Sequence, residues 1–236
     1  MKHIVGVLLF LFAACLGWSQ ERIERFDAAV TVDKQGTAWV EETISAVGPL
    51  EQGQPLHRDL PAQAQDITLT KNGEPCTFTL QPYADRVRVQ FAPSSGAASP
   101  RDVYQLQYHI PQAVTFAPER DELDWNVTGR GFFVINKAVF KLRLPQRAAV
   151  SKAEVAGYIG APNNWIEAAG EEAQVAVDEE AGEISLETMA PISLGRGLRV
   201  VALWRPGVVD VPEDVKWSRW KYRYGNWLVP LEVGLL

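Results

Sequence analysis

This 236-residue chain is short of the residues on which most enzyme sites are built. It has only two cysteines, Cys15 and Cys76, and three histidines. Cys15 falls in an apolar leader-like run, which would leave the mature domain the single thiol of Cys76; neither a disulfide framework nor a thiolate zinc site can be built from that, so the fold must rest on its apolar core. Basic charge is also short, with a net charge of −6. That sign disfavours nucleic acid as a partner, because phosphate neutralisation needs a basic face. There is no Gly-x-Ser-x-Gly elbow for a nucleophilic serine. Gly195-Arg196-Gly197 lacks the lysine of a phosphate loop and reads as a tight turn. Beyond the first twenty residues, no 12-residue stretch carries helical periodicity. No apolar run reaches the ~20 residues that cross a bilayer as a helix.

What is present begins with a leader. Lys2 and His3 precede an apolar run from Ile4 to Leu16, interrupted only by Gly6. Its length suits the core of a secretory signal. Gly17 and Ser19 are small residues at the −3 and −1 positions of a cleavage after Ser19, giving a signal peptide over 1–19. Leu11-Phe12-Ala13-Ala14-Cys15 also resembles a lipoprotein box, in which Cys15 would be acylated. Either route, or an uncleaved anchor as the third reading, exports the chain and places it in the cell envelope.

From Ile23 onward, short alternating segments follow one another. Ile23 to Val32 and Thr37 to Ala46 flank Asp33-Lys34-Gln35-Gly36, a hairpin signal. Ile23, Phe26, Ala28 and Val30 are inward candidates on the first run, and Ala38, Val40, Thr43 and Ile44 on the second. A second hairpin is expected between Ile67–Thr70 and Thr77–Leu80, around Asn72-Gly73. Arg86 to Phe91 alternates strictly, and further strands are expected at 103–110, 132–135, 138–144, 154–159, 174–177, 183–187 and 198–204. Pro162-Asn163-Asn164 and Gly170-Glu171-Glu172 read as loops. This spacing predicts an all-β fold, a β-sandwich of immunoglobulin-like or larger two-sheet form over 21–210.

After Val211 the composition changes. Lys216, Trp217, Arg219, Trp220, Lys221, Tyr222, Arg223, Tyr224 and Trp227 mix bases with aromatics before the apolar stretch from Leu228 to Leu236. Such mixtures favour the headgroup zone, so 211–236 reads as a juxtamembrane or interfacial tail, with an edge strand packed on the sandwich as the alternative.

His57-Arg58-Asp59 could suggest a base with its orienting carboxylate, but the stronger expectation is structural. Arg58 and Asp59 would pair with each other or with nearby backbone to hold a turn before Pro61. Glu119, Asp121, Glu122 and Asp124 read as an acidic loop without the glycine and terminal glutamate of a calcium site. Asp124 and Asn126 are expected to cap a turn around Trp125. His109 is expected on the solvent side of its strand. Trp125, Trp165 and Trp204 could form a carbohydrate platform, against their simpler role as core packing. No catalytic residue, metal or cofactor is expected.

Three groups of motifs together resemble one family. The first is Arg22-Ile23-Glu24-Arg25-Phe26, Val32-Asp33-Lys34-Gln35-Gly36-Thr37, Val40-Glu41-Glu42 and His57-Arg58-Asp59-Leu60-Pro61. The second is Tyr104-Gln105-Leu106-Gln107-Tyr108 and Asp121-Glu122-Leu123-Asp124-Trp125-Asn126-Val127-Thr128-Gly129. The third is Val139 to Pro145 with Gly157-Tyr158-Ile159-Gly160. In this order they resemble the N-terminal domain of the YciQ-like family of predicted bacterial membrane proteins. The Arg-Asp-x-Pro and Asp-x-Trp-Asn-x-x-Gly elements are the most specific pieces. The resemblance implies a signal peptide, an extracytoplasmic β domain and membrane helices, which this sequence lacks at its end, but no activity or ligand. The expectation is a non-catalytic, membrane-associated interaction or sensing module. Its partners would be the membrane and another envelope protein; a secreted carbohydrate-binding protein or hydrolase is the alternative.

Overall fold

The computed structural model describes residues 22–48, 56–92, 101–129, 131, 133–146, 154–161, 164–168, 171–213 and 215–218. Residues 1–21, with the expected signal peptide and Cys15, and the residues beyond 218 lie outside the described residues. In chain order the first strands are β1 (Arg22–Val32), β2 (Ala38–Val47), β3 (His57–Pro61), β4 (Gln65–Lys71), β5 (Glu74–Pro75) and β6 (Phe78–Pro82). Then come β7 (Arg86–Phe91), β8 (Arg101–Ile110), β9 (Thr115–Phe116), β10 (Asp121–Asn126), β11 (Val134–Ile135) and β12 (Ala138–Arg143). The last are β13 (Glu154–Ala161), β14 (Asn164–Glu167), β15 (Ala173–Asp178), β16 (Glu183–Thr188) and β17 (Gly197–Trp204).

The fold is all-β, and among the described residues the strands form three sheets. The largest has nine strands in the order β15-β16-β12-β1-β2-β8-β4-β5, with β11 also paired to β1. The second has five, β14-β13-β17-β10-β9, and the third has three, β3-β7-β6. The expected β1–β2 hairpin forms, and the Asp33 carboxylate accepts the N–H groups of Gln35 and Thr37 at its turn. A bulge between Ile23 and Arg25 resets the alternation, so Ile23 and then Phe26, Ala28, Val30 and Val32 are all buried. One apolar cluster draws on all three sheets. The two larger sheets touch closely at Gly157, where an added Cβ would lie 2.6 Å from Leu186 Cδ1.

Five features depart from the sequence expectations. The third sheet adds a layer beyond a two-sheet sandwich. β1 also runs parallel to β12, a pairing that local periodicity does not reveal. The Asn72-Gly73 hairpin is short, because only Glu74–Pro75 returns beside β4; Phe78–Pro82 instead crosses to the three-stranded sheet and pairs with β7. Asn164 opens β14 rather than closing a loop, and the acidic run over 119–124 is not simply a loop, since Asp121 to Asn126 form β10 and pair with β17.

Candidate functional site

The alternation of β2 sends Ala38, Val40, Glu42, Ile44 and Ala46 inward. Glu42 is thus a carboxylate in an apolar row, with none of its surface exposed. A buried charge is tolerated only when paired and hydrogen-bonded. Arg58, on β3, supplies the pair. Its Nε donates to Glu42 Oε2 at 2.8 Å and its Nη2 to Glu42 Oε1 at 2.9 Å. Tyr108, on β8, donates its hydroxyl to Oε1 at 2.7 Å. Arg58 Nη2 also donates to the carbonyls of Asn126 and Val127, at 3.0 and 2.6 Å. Its guanidinium carbon lies 5.6 Å from the centre of the Phe26 ring. Burial alone would weaken the hold of Arg58 on its proton, but the Glu42 carboxylate outweighs it and keeps the group charged. Burial, and then the Glu42 charge, push the Tyr108 phenol well above its usual value.

The chain after β10 is shaped around this arginine. Asn126 Oδ1 accepts the N–H of Gly129 at 3.0 Å, and Thr128 Oγ1 accepts that of Leu198 at 2.9 Å. Gly129 has φ +69°, and a Cβ there would lie 2.7 Å from Arg58 Nη1. At Gly197, a Cβ would lie 2.1 Å from the Gly129 carbonyl oxygen. Glu42 and Tyr108 come from the nine-stranded sheet, Arg58 from the three-stranded one, and 126–129 from the end of the five-stranded one. A single guanidinium therefore ties all three sheets together. The Arg-Asp-x-Pro and Asp-x-Trp-Asn-x-x-Gly elements meet here.

The individual expectations fare unequally. The Arg58 and Asp59 side chains do not pair with each other, because adjacent strand residues point to opposite faces. Arg58 reaches only the Asp59 carbonyl, at 3.3 Å. Asp59 instead receives Arg88 on β7, at 2.7 and 3.0 Å, with Arg86 Nε at 3.4 Å. Burial pulls the Asp59 carboxyl up, but Arg88 prevails and holds it below the usual carboxylate range. Asp124 caps no turn; it sits mid-strand on the outer face of β10 and forms a bidentate pair with Arg199 on β17. Asn126 does act in the turn. Trp125 and Trp204 are buried, so they belong to no exposed platform, whereas Trp165 is partly exposed. His109 lies on the outer face but is mostly covered, with Trp39 stacked 4.7 Å away and Asp66 at 3.4 Å.

Beside the clamp lies an open cleft of about 610 Å³, whose walls include Asp59, Arg86, Asp124, Arg199 and Trp165. The sequence reading missed Glu42, Tyr108, Arg88 and Arg199. Period two through Ala38, Val40, Ile44 and Ala46 was the available signal for Glu42. Among the described residues, no group of three or more His, Cys, Asp or Glu side chains is placed to hold a metal ion, and no helix is long and apolar enough to cross a membrane.

No curated protein matches the chain. Among solved structures, a leukotriene A4 hydrolase from Saccharomyces cerevisiae is similar at 9% identity and a TM-score of 0.48, over 77% of this chain and 29% of that one. An M1 zinc metallopeptidase from Deinococcus radiodurans is similar at 12% identity and a TM-score of 0.37, over 77% of this chain and 42% of that one. The chain thus spans less than half the length of either, and likenesses this distant transfer no activity. The family model described as "Predicted membrane protein (DUF2207) N-terminal domain" matches residues 22–204, from the first residue of β1 to the last of β17. The chain belongs to this family of predicted membrane proteins, and the three sheets around Arg58 are its N-terminal domain.

Proposed function

We propose that this domain is a non-catalytic binding module, displayed outside the cytoplasmic membrane by a membrane-associated protein, with the cleft beside Arg58 as its ligand-facing surface. One observation carries the proposal: charged groups along the cleft are committed to partners. Asp59 is held by Arg88 and Arg86, Asp124 by Arg199, and Arg58 by Glu42. A hydrolase needs a carboxyl that keeps its proton near neutrality, or a base free to take one. Asp59 is held below the usual range by Arg88, so it neither keeps a proton near neutrality nor stands free to take one. Fixed, paired groups on a rigid frame suit recognition, because little freedom is lost when a ligand docks.

The membrane tie is supported by the family description and by the basic-aromatic composition of 211–236. The outward side is supported by the leader at 1–19 and by the YciQ-like motif order. The membrane itself, or another envelope protein, would be its neighbour. Protease added to intact spheroplasts tests the placement, together with the intact mass of the mature chain. Digestion of the domain, with a chain starting at Gln20 or at a lipid-bearing Cys15, is the expected result. Protection until the cells are lysed would overturn the proposal. A carbohydrate-binding role is the second reading, favoured by Trp165 on the cleft wall.

A further inference from the structure

We propose that the cleft takes a neutral oligosaccharide, with Trp165 as its stacking face and the Asp124–Arg199 and Asp59–Arg86 pairs as its hydroxyl-binding groups. This inference rests on the domain being a binding module and names its ligand class.

The charge balance of the walls comes first. Arg58, Arg86 and Arg199 face Asp59, Asp85 and Asp124, three positive groups against three negative. Arg58 is neutralised from behind by Glu42, and Asp59 receives Arg88 as well. A ligand carrying net charge would have to compete with these pairs, and breaking one leaves a partly desolvated charge without its partner. A neutral ligand need not do so.

The donor and acceptor pattern comes second. In each pair a planar guanidinium presents N–H donors beside a carboxylate that only accepts. Neighbouring hydroxyls on a sugar ring both donate and accept, so one such pair can serve two hydroxyls at once. A purely apolar ligand would leave these groups desolvated and unserved.

Trp165 supplies the apolar half of the site. It lies on β14, opposite Gly160 of β13, and keeps part of its indole exposed on the cleft wall. Gly160 permits this close pairing, since a Cβ there would lie 2.2 Å from the Asn164 carbonyl oxygen. An indole face matches the C–H face of a pyranose ring. The cleft volume of about 610 Å³ falls inside the range of small-ligand sites, roughly 300–1,000 Å³. A peptide added to the β3 edge is less favoured, because that strand ends in Pro61, which has no N–H to donate.

The test is a fluorescence titration of the full chain with cellotriose, maltotriose and chitotriose, and with trigalacturonate as the charged comparison. The expected result is saturable binding of at least one neutral trisaccharide, little changed by salt, and weakened about tenfold or more in W165A and R199A. W39A, altered on a separate exposed tryptophan, should bind as the unmodified chain does. Thermal melts establish that each variant is folded. Absence of saturable binding to all three neutral sugars would overturn the inference, as would binding that W165A leaves intact. Preference for trigalacturonate would also overturn it, while leaving the binding-module proposal standing. Failure of that broader proposal is read separately, from protease protection in spheroplasts.

Discussion

Glu42 and Arg58 lie sixteen positions apart, on strands of different sheets, and meet through two hydrogen bonds of 2.8 and 2.9 Å, with neither residue more than 4% exposed. A buried ion pair is often no better for stability than apolar residues that fill the same space. Its value here is geometric. An apolar pair at these positions could fill the volume but could not also satisfy the carbonyls of Asn126 and Val127. The clamp therefore selects one arrangement of the sheets, and with it the shape of the cleft.

Breaking the pair from either side should be costly. E42A and R58A are each expected to lose about 3–5 kcal/mol, because each strands the opposite charge in the core. The double variant should lose clearly less than the two single losses added, since it leaves no lone charge. Urea denaturation of the four proteins measures this. A double variant whose loss equals the sum would show that the two residues are not coupled.

Y108F probes the third member of the clamp. It keeps the ring and removes the donor to Glu42 Oε1. The expected loss is about 1–3 kcal/mol, the cost of a buried acceptor deprived of one partner. Arg58 remains in place, so the loss should be smaller than that of E42A in the same denaturation series. A loss as large as that of E42A would mean that Tyr108 holds the carboxylate in position rather than adding one bond to it.

Gly197 and Gly195 separate backbone crowding from backbone conformation. Gly195 has φ +79° with open space around its missing Cβ, so G195A should cost about 1–2 kcal/mol from conformational strain alone. At Gly197 a Cβ would fall 2.1 Å from the Gly129 carbonyl oxygen and 3.1 Å from Thr128 Oγ1. G197A must therefore push the 127–129 segment away from β17 and disturb the Arg58 site. It should be the more destabilising of the two by thermal melting. Equal losses would mean that the segment yields without disturbing the clamp.

Much of this architecture is legible as period two. The Asp33-Lys34-Gln35-Gly36 turn and the inward faces of β7 and of β1 from Phe26 onward follow from alternation and turn chemistry alone. Alternation fixes which face a residue occupies within a strand, but not which strand lies beside it. The parallel pairing of Phe26 with Ala138, and the approach of Arg58 to Asn126 from 68 positions away, are tertiary facts with no local signature. Elsewhere the pattern was present but masked by charge. Asp121, Leu123 and Trp125 point inward while Glu122, Asp124 and Asn126 point away, a regular strand whose acids make it look like a loop. Glu42 is the sharpest case. Placing Thr43 beside Ile44 on one face broke the period, and restoring it puts a carboxylate in the core, an unfavourable placement until Arg58 is found opposite.

Asp59 gives the domain a predictable acid limb. Burial raises its proton affinity, Arg88 overrides this, and the folded carboxyl ends below its ordinary value. A carboxyl depressed by folding stabilises the protein above its unfolded pKa, about 3.9 for aspartate, and that contribution is lost as the pH falls through the lower folded value. The unfolded state binds the proton first, so stability should fall from about pH 5 downward. R88M removes the strongest lowering influence and should flatten this decline, as should D59N, which cannot titrate. Because Asp59 is only partly buried, added salt should weaken the effect without abolishing it. Urea midpoints between neutral pH and about pH 3 measure the slope. A slope unchanged in both variants would show that the acid sensitivity arises from other carboxylates and that the Arg88–Asp59 pair contributes nothing to it.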